Sequence, residues 1–413
     1  MHFRFSTAGE SHGRGLIAMV EGVPAGLPLS VERDIDPELK RRQGGYGRGA
    51  RMKIESDQAE VVSGIRLGET LGSPIALAIW NRDWQNWRVP MSHEPPREGA
   101  SDEALRRVHL PRPGHADLAG ILKYDRTDAR DILERASARE TTARVAVGAI
   151  AKRLLAEFGI TIGSHIVELG DVVATVPDEL PVDLNAAVDD SPLRTLDKDA
   201  EQRMIEAIDA ARKAGNTLGG IFEVVARGVP VGLGSHVSWD TRLDGRLAQA
   251  LMSIQAMKGV EIGMGFEAAR RLGSEVHDEI ERVAGWRETE PAGNLSRTGG
   301  YKRLSNNAGG LEGGITTGAP IVARVAMKPL SSLMQPLRSV NVRTGEPAEA
   351  VRERSDVVAL PAAGVVGEAM VAIVLADAML EKFGGDSLAE MRRNFEGYLE
   401  RLWRRAEAYD TEA

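Results

Sequence analysis

No cysteine occurs in the 413 residues, which excludes a disulfide framework, a thiolate nucleophile and a zinc–thiolate site. Positive charge is also in short supply. The 52 Lys and Arg stand against 60 Asp and Glu, and the net charge of −8 argues against a general binder of nucleic acid or acidic membrane. The N-terminal Met1-His2-Phe3-Arg4-Phe5 has no signal-peptide apolar core. No apolar run approaches the roughly 18 residues that a transmembrane helix needs. A soluble cytoplasmic protein is the expectation. The pattern G-x-x-x-x-G-K-[ST] is missing, and no G-x-G-x-x-G follows a strand-like run, so neither a P-loop nor a dinucleotide fold is supported.

Glycine is plentiful: 45 residues, above the usual share of about 7%. Much of it lies beside arginine, which suits backbone running close to a ligand. The densest polar stretch is Arg112-Pro113-Gly114-His115-Ala116-Asp117, followed by Arg135-Ala136-Ser137-Ala138-Arg139-Glu140. So many charged groups are costly to bury unless they are paired or bind something charged. Ser137-x-x-Glu140 reads as a capping box that opens a helix over 138–158, with Ala143, Val147, Ile150, Leu154 and Phe158 on one apolar stripe. Arg135, Ala136 and Ser137 then sit at a helix N-terminus, where backbone N–H groups favour an anion, phosphate above all. A plain capped helix with surface arginines fits the same residues.

Residues 3–7 and 16–20 read as a β-hairpin with Gly9-Glu10-Ser11-His12-Gly13 at its tip, which makes His12 either a site residue or a surface loop residue. A helix capped by Asp34 is expected over 34–42. It runs into Arg41-Arg42-Gln43-Gly44-Gly45-Tyr46-Gly47-Arg48-Gly49-Ala50-Arg51, a flexible loop whose guanidinium groups suit phosphate or carboxylate. The loop also fits an Arg-Gly RNA-binding tract, although no Phe, Trp or further Tyr accompanies Tyr46. A G-x-T-x-G pattern recurs at 68–72, 215–219 and 314–318, each time ahead of a strand-like run, and suggests related strand units in a pseudo-symmetric arrangement. Further helices are expected over 199–214 (Met204, Ile205, Ile208 and Ala211 inward), 243–258, 367–383 and 387–408, the last in a packing or oligomer role. Segment 90–101, rich in Pro and Glu, reads as an exposed loop, and the charged segment 275–294 reads as mobile. A second glycine-rich loop, 305–314, precedes a strand over 321–327 that ends in Lys328-Pro329-Leu330-Ser331-Ser332.

Gly9 to Gly13, Glu21-Gly22-Val23-Pro24-Ala25-Gly26, Arg112 to Asp117, Glu134 to Thr141 and Arg354-Ser355-Asp356, in that order, resemble the motifs of the chorismate synthase family. The similarity runs from about residue 3 to residue 390, and several motifs in series are far more specific than any one. The resemblance implies an α+β fold, a pseudo-symmetric β-α-β sandwich forming a single large domain over 1–413. It implies a lyase that removes phosphate and a proton from 5-enolpyruvylshikimate-3-phosphate to give chorismate, by an anti-1,4-elimination that needs reduced FMN. The family is usually a homotetramer, and in most bacteria a separate reductase supplies the flavin, so NADPH enters only indirectly.

By the same resemblance, His12 and His115 protonate the departing phosphate and the reduced flavin, in one order or the other, and Asp356 assists proton abstraction through the flavin N5. Arg135, Ala136, Ser137, Gln255, Ala256, Gly313, Lys328, Pro329, Leu330, Ser331, Ser332 and Arg354 match FMN-binding positions. Arg42, Arg48 and Arg139 match the set that meets the phosphate of substrate or NADPH. The stretch Gln43 to Tyr46 varies in length within the family, so Arg41 stands as the alternative to Arg42. No metal site is expected. The chemistry suits the composition: substrate and flavin are polyanions, and a chain of net charge −8 has to concentrate its guanidinium groups where they bind.

Overall fold

The computed structural model describes residues 2–49, 57–283, 294–352 and 356–411. Alternation in Gly15-Leu-Ile-Ala-Met-Val-Glu21 buries Leu16, Ala18 and Val20 and turns Ile17 and Met19 outward, which makes a strand with one covered face. This strand, β2 (Gly15–Glu21), pairs antiparallel with β1 (Arg4–Ala8), so the expected hairpin forms with His12 in its turn. After β2 comes α1 (Asp36–Gln43). A π-helical turn, Val31–Ile35, runs straight into it, so the helical segment begins earlier than expected, with Ser30 Oγ at its N-cap accepting from Arg33 N (3.4 Å). Asp34 does not cap it; its carboxylate accepts the Ser30 N–H instead (2.7 Å). Strands β3 (Glu60–Ser63) and β4 (Ile75–Trp80) complete a sheet of order β1-β2-β4-β3. Three helices follow: α2 (Asp117–Tyr124), α3 (Arg130–Ala136) and α4 (Thr141–Ala156).

The capping box does not form. A 3₁₀ turn, Ala138–Glu140, precedes α4, and Ser137 Oγ accepts from Arg139 N at 3.3 Å. The Glu140 carboxylate is engaged by Thr7 and Arg144 instead of returning to the Ser137 backbone. Nor is α4 a one-stripe helix, since Val145, Ala146, Ala149 and Ala151 are buried along with the predicted residues.

The second half of the chain repeats the first. Strand β5 (Thr161–Leu169) carries the small edge strand β6 (Val172–Val173). After α5 (Lys198–Lys213) come β7 (Gly220–Arg227), α6 (Leu243–Met252), β8 (Met257–Ile262), β9 (Ile321–Met327) and α7 (Leu360–Phe383). The sheet order β8-β9-β7-β5-β6 matches the first sheet when β5, β7, β9 and β8 stand for β1, β2, β4 and β3. Helices α6 and α7 then stand for α1 and α4. The helix expected over 243–258 ends at Met252 because Met257–Ile262, with Gly259 and the β-branched Val260 and Ile262, pairs with β9 instead.

A sequence repeat underlies the symmetry: Gly22-Val23-Pro24-Ala25-Gly26-Leu27 after β2 and Gly228-Val229-Pro230-Val231-Gly232-Leu233 after β7. Thr70 Oγ1 donates to Pro24 O (2.5 Å) and accepts from Leu27 N (3.0 Å). Thr316 Oγ1 donates to Pro230 O (2.7 Å) and accepts from Leu233 N (2.8 Å). The G-x-T-x-G segments at 68–72 and 314–318 are therefore equivalent. The copy at 215–219 is not: Thr217 Oγ1 donates to Leu330 O, and the copy precedes β7, the counterpart of β2.

Between the sheets lie the helices, giving the β-α-β layers. α4 packs on β2 and on α7, and α7 packs on β5 and β7. At Gly148 a Cβ would lie 2.3 Å from the Ala369 Cβ, so only glycine lets α4 and α7 approach this closely. One buried core joins both halves, from Phe3 to Leu399. Helix α7 is long and apolar enough to cross a membrane, with mean hydropathy 1.9 over 18 residues, contrary to the expectation that no such run exists; 94% of that window is buried inside the molecule. It also carries Glu368, fully buried and bonded to Arg41, Lys152, Arg194 and Ser164. The C-terminal helix expected over 387–408 forms as α8 (Leu388–Thr411) and buries Met391, Phe395 and Leu399. In the segment expected to be mobile, Ile280–Arg282 pairs with Tyr301–Arg303, and 284–293 lie outside the described residues.

Candidate active site

The β1–β2 turn presents His12 to α3. Glu134 accepts from His12 N (2.8 Å) and meets His12 Nδ1 at 2.9 Å. Arg130, one helical turn earlier on α3, donates to the same carboxylate (2.7 Å). Burial pushes the Glu134 carboxyl up, but the hydrogen bonds from His12 and the charge of Arg130 outweigh it and hold the group below the usual carboxylate range. Ser137 Oγ donates to Ser11 Oγ (3.2 Å), which ties the start of α4 to the same turn.

The second histidine is held in the same manner. His115 Nδ1 lies 2.5 Å from Asp117 Oδ1, at the first residue of α2. Asp117 also accepts from Arg112 N (3.0 Å) and Arg112 Nε (2.9 Å). Burial again acts upward, and the hydrogen bonds from His115 and Arg112 hold Asp117 well below its ordinary value. The segment after β9 docks on this loop: Arg112 Nη1 donates to Ser332 Oγ (2.9 Å), and Lys328 Nζ donates to Gly114 O (2.7 Å). Burial, helped by Lys258, lowers the Lys328 ammonium below its ordinary value. Leu330 is fixed by its carbonyl, which accepts from Thr217.

The loop arginines are not left flexible. Arg42 is buried, with Nε on Thr141 Oγ1 (3.0 Å) and Nη2 on Ala138 O (2.8 Å). Arg139 is buried beside it and donates to Asp57 (3.1 Å), which lies 3.9 Å from Arg42. Arg48, with 11% of its side chain exposed, pairs with Asp356 at 3.2 Å, and Gly49 N donates to Asp356 at 2.6 Å. Arg41 points the other way, into Glu38, Asp189 and Glu368, which leaves Arg42 as the one facing the start of α4. Arg354 lies outside the described residues.

A cavity of about 410 Å³ opens next to the His12 turn, lined by Thr7, Arg135, Glu140, Arg144 and Gln255 among others. Arg135 donates to Thr7 O (2.8 Å) and Gly9 O (3.1 Å), so one residue belongs to both the cavity and the hairpin. Gln255 Nε2 donates to Glu140 (3.1 Å), while its buried Oε1 has no partner among the described residues. Ala256 adopts φ +70, left-handed backbone that an alanine rarely takes. Ala136 ends α3. Of the FMN positions implied by resemblance, Arg135 and Gln255 line the cavity; Ser137 and Lys328 to Ser332 lie at the two histidine turns. Gly313, in a turn with φ +59, is not among the cavity's lining residues, and a Cβ there would meet only His236. Sequence reasoning missed Glu134 and Asp117 as anchors; the available signal was a carboxylate next to Arg135 in one case and one close to Arg112 and His115 in the other. Asp57 and Trp87 carried none.

Two sheets around a helical layer, two carboxylate-anchored histidines and a set of buried or half-buried guanidinium groups beside them define an enzyme for a phosphorylated small molecule. The sequence model of the chorismate synthase family matches residues 3–380. Curated chorismate synthases of Aquifex aeolicus and Geobacter sulfurreducens are 56% and 58% identical over 406 and 404 residues, 96% of this chain and 98% of each relative. A crystal structure of chorismate synthase superposes with a TM-score of 0.75 at 47% identity, covering 98% of this chain and 99% of that one. The chain belongs to the chorismate synthase family, lyases that eliminate phosphate from 5-enolpyruvylshikimate-3-phosphate to form chorismate on the route to aromatic amino acids.

Proposed function

We propose that this chain performs the family's elimination with His12 and His115 as its proton carriers. The observation that supports this reading is the pairing of each histidine's Nδ1 with a buried carboxylate, Glu134 or Asp117. A carboxylate only accepts, so Nδ1 keeps its proton and Nε2 is the nitrogen that exchanges one. Arg42, Arg48 and Arg139 bind the anionic groups of the substrate, and their charge favours phosphate as it departs. Asp356 assists removal of the proton; its contact with Arg48 keeps it beside the substrate's charge.

The cavity fits a flavin nucleotide. Its volume lies within the range of about 300–1,000 Å³ typical of small-molecule sites. Arg135 offers charge to a phosphate, and the orphaned Gln255 Oε1 offers an acceptor to a ring N–H. Arg135, Ala136, Ser137, Gln255, Ala256 and Lys328 to Ser332 would hold FMN, with Gly313 and Arg354 assigned by resemblance. Reduced flavin held by these residues would supply electron density for the elimination. The protein binds and orients substrate, excludes water and delivers protons through the histidines.

Support for the rest of the reading comes from the family: a single catalytic domain over 1–413, a cytoplasmic homotetramer, and flavin reduced by a separate enzyme so that NADPH acts indirectly. The test is to mix protein, reduced FMN and 5-enolpyruvylshikimate-3-phosphate without oxygen and follow chorismate absorbance. Absence of chorismate from folded protein overturns the proposal, and NADPH consumption without substrate overturns the separate reductase.

A further inference from the structure

Residues 81–107 have no assigned role, yet they lay a tryptophan flat on His12. We propose that Trp87 is a positioning residue for His12, fixing the plane of the imidazole that exchanges protons. The inference rests on the reading of His12 given above.

The Trp87 and His12 rings stack with centroids 3.7 Å apart and planes 24° apart. The Arg106 guanidinium lies 4.1 Å from the Trp87 ring centroid. The Arg130 guanidinium lies 5.3 Å from a Trp87 ring centroid as well, so the indole is packed against the imidazole and two guanidinium groups. Its Nε1 donates to Asp83 (3.0 Å), Asp83 N donates to Asn81 Oδ1 (3.0 Å), and Asn81 Nδ2 donates to Gly13 O (2.9 Å). The platform is therefore bolted to the same turn that carries the histidine.

The guanidinium is held in place too. Arg106 adopts φ +48, a conformation that persists only when its surroundings impose it. Its carbonyl accepts from Arg130 Nε (2.5 Å), Arg130 donates to Glu134 (2.7 Å), and Glu134 meets His12 Nδ1 (2.9 Å). The contacts close a ring: His12, Trp87, Arg106, Arg130, Glu134 and back to His12. A carboxylate at one edge leaves an imidazole free to swing about that bond; a stacked face removes the swing. An indole face accepts both imidazole and imidazolium, so the restraint holds through the proton cycle.

The experiment is a double-mutant cycle: wild type, Trp87→Leu, His12→Ala and the double variant, each with reduced FMN and substrate under anaerobic conditions. Trp87→Leu is expected to lower kcat by about ten- to a hundredfold, the scale of a small misplacement of a reacting group, while KM moves less than about threefold. Trp87→Phe, which keeps an aromatic face, should return kcat to within about threefold of wild type. In the His12→Ala background the leucine should add less than about twofold, because a residue acting through His12 has nothing left to position. Equal losses in both backgrounds overturn the inference, as does full kcat in Trp87→Leu while His12→Ala is impaired. Full turnover in His12→Ala instead sinks the reading of His12 itself. Melting curves check the fold, and Trp87→Met or Arg106→Gln takes the place of the leucine variant in the cycle if that variant does not fold.

Discussion

Replacing Glu368 by glutamine keeps its volume and removes its charge from the middle of the helical layer. The carboxylate accepts from Arg41 at 2.8 and 2.9 Å, Lys152 at 2.5 Å, Arg194 at 3.0 Å and Ser164 at 2.6 Å. Removing one partner of a buried ion pair costs about 3–5 kcal/mol, because the charges left behind stay desolvated. Glu38 still faces Arg41 and Lys152, and Asp189 still faces Arg41 and Arg194, which places the expected loss near the lower end, about 3 kcal/mol. At roughly 2.1 cal/mol/K per residue, the unfolding entropy of this chain is about 0.9 kcal/mol/K, so Tm should fall by about 3–4 °C. The pH dependence follows from the sign of the shift. Burial pushes Glu368 up, but Lys152, Arg41 and Arg194 outweigh it and hold the carboxyl far below its ordinary value. Its stabilisation is complete above the unfolded value of about 4.3 and is lost as pH falls towards the folded one. The Tm gap between wild type and variant should stay constant from neutral pH down to about 5 and shrink in stronger acid. Scanning calorimetry across that range is the assay. A Tm within about 1 °C of wild type at neutral pH, or a gap that widens in acid, refutes the reasoning.

Asp117→Asn keeps the shape but lets an amide face His115 Nδ1, so kcat should fall about a hundredfold or more with flavin binding intact; unchanged turnover refutes the anchoring role. Arg48→Ala should raise KM about tenfold or more by removing a charge-assisted contact, while Tm falls by less than about 2 °C. A large Tm loss with KM unchanged would mark Arg48 as structural. Thr70→Val and Thr316→Val each strand a proline carbonyl and a leucine N–H, so each should cost about 1–3 kcal/mol, equal within about 1 kcal/mol. Chemical denaturation of both variants checks this, and one silent site would break the equivalence of the two halves.

Local patterns were legible because they report local physics. The hairpin with His12 at its tip, α5 and α8 follow from alternation and helical spacing. Errors fell where a distant partner overrode a local preference. Glu140 looked like half of a capping box, but Thr7 and Arg144 claim its carboxylate. Met257 and Lys258 read as the end of a helix, but they open a strand that pairs with β9. The third G-x-T-x-G matched in letters but sits before the wrong strand.

By itself the sequence determined the family, the order of its motifs and the kinds of residue available for phosphate and proton chemistry, since these are properties of short segments. Only the tertiary structure decided which groups meet. Arg42 and Arg41 are neighbours in the chain, yet one faces Thr141 and the other Glu368. Trp87 covers His12, and Arg48 finds Asp356 almost at the other end of the chain. Such pairings depend on how two sheets close around one helical layer, and that closure is driven by apolar burial, which names no partner for a charge.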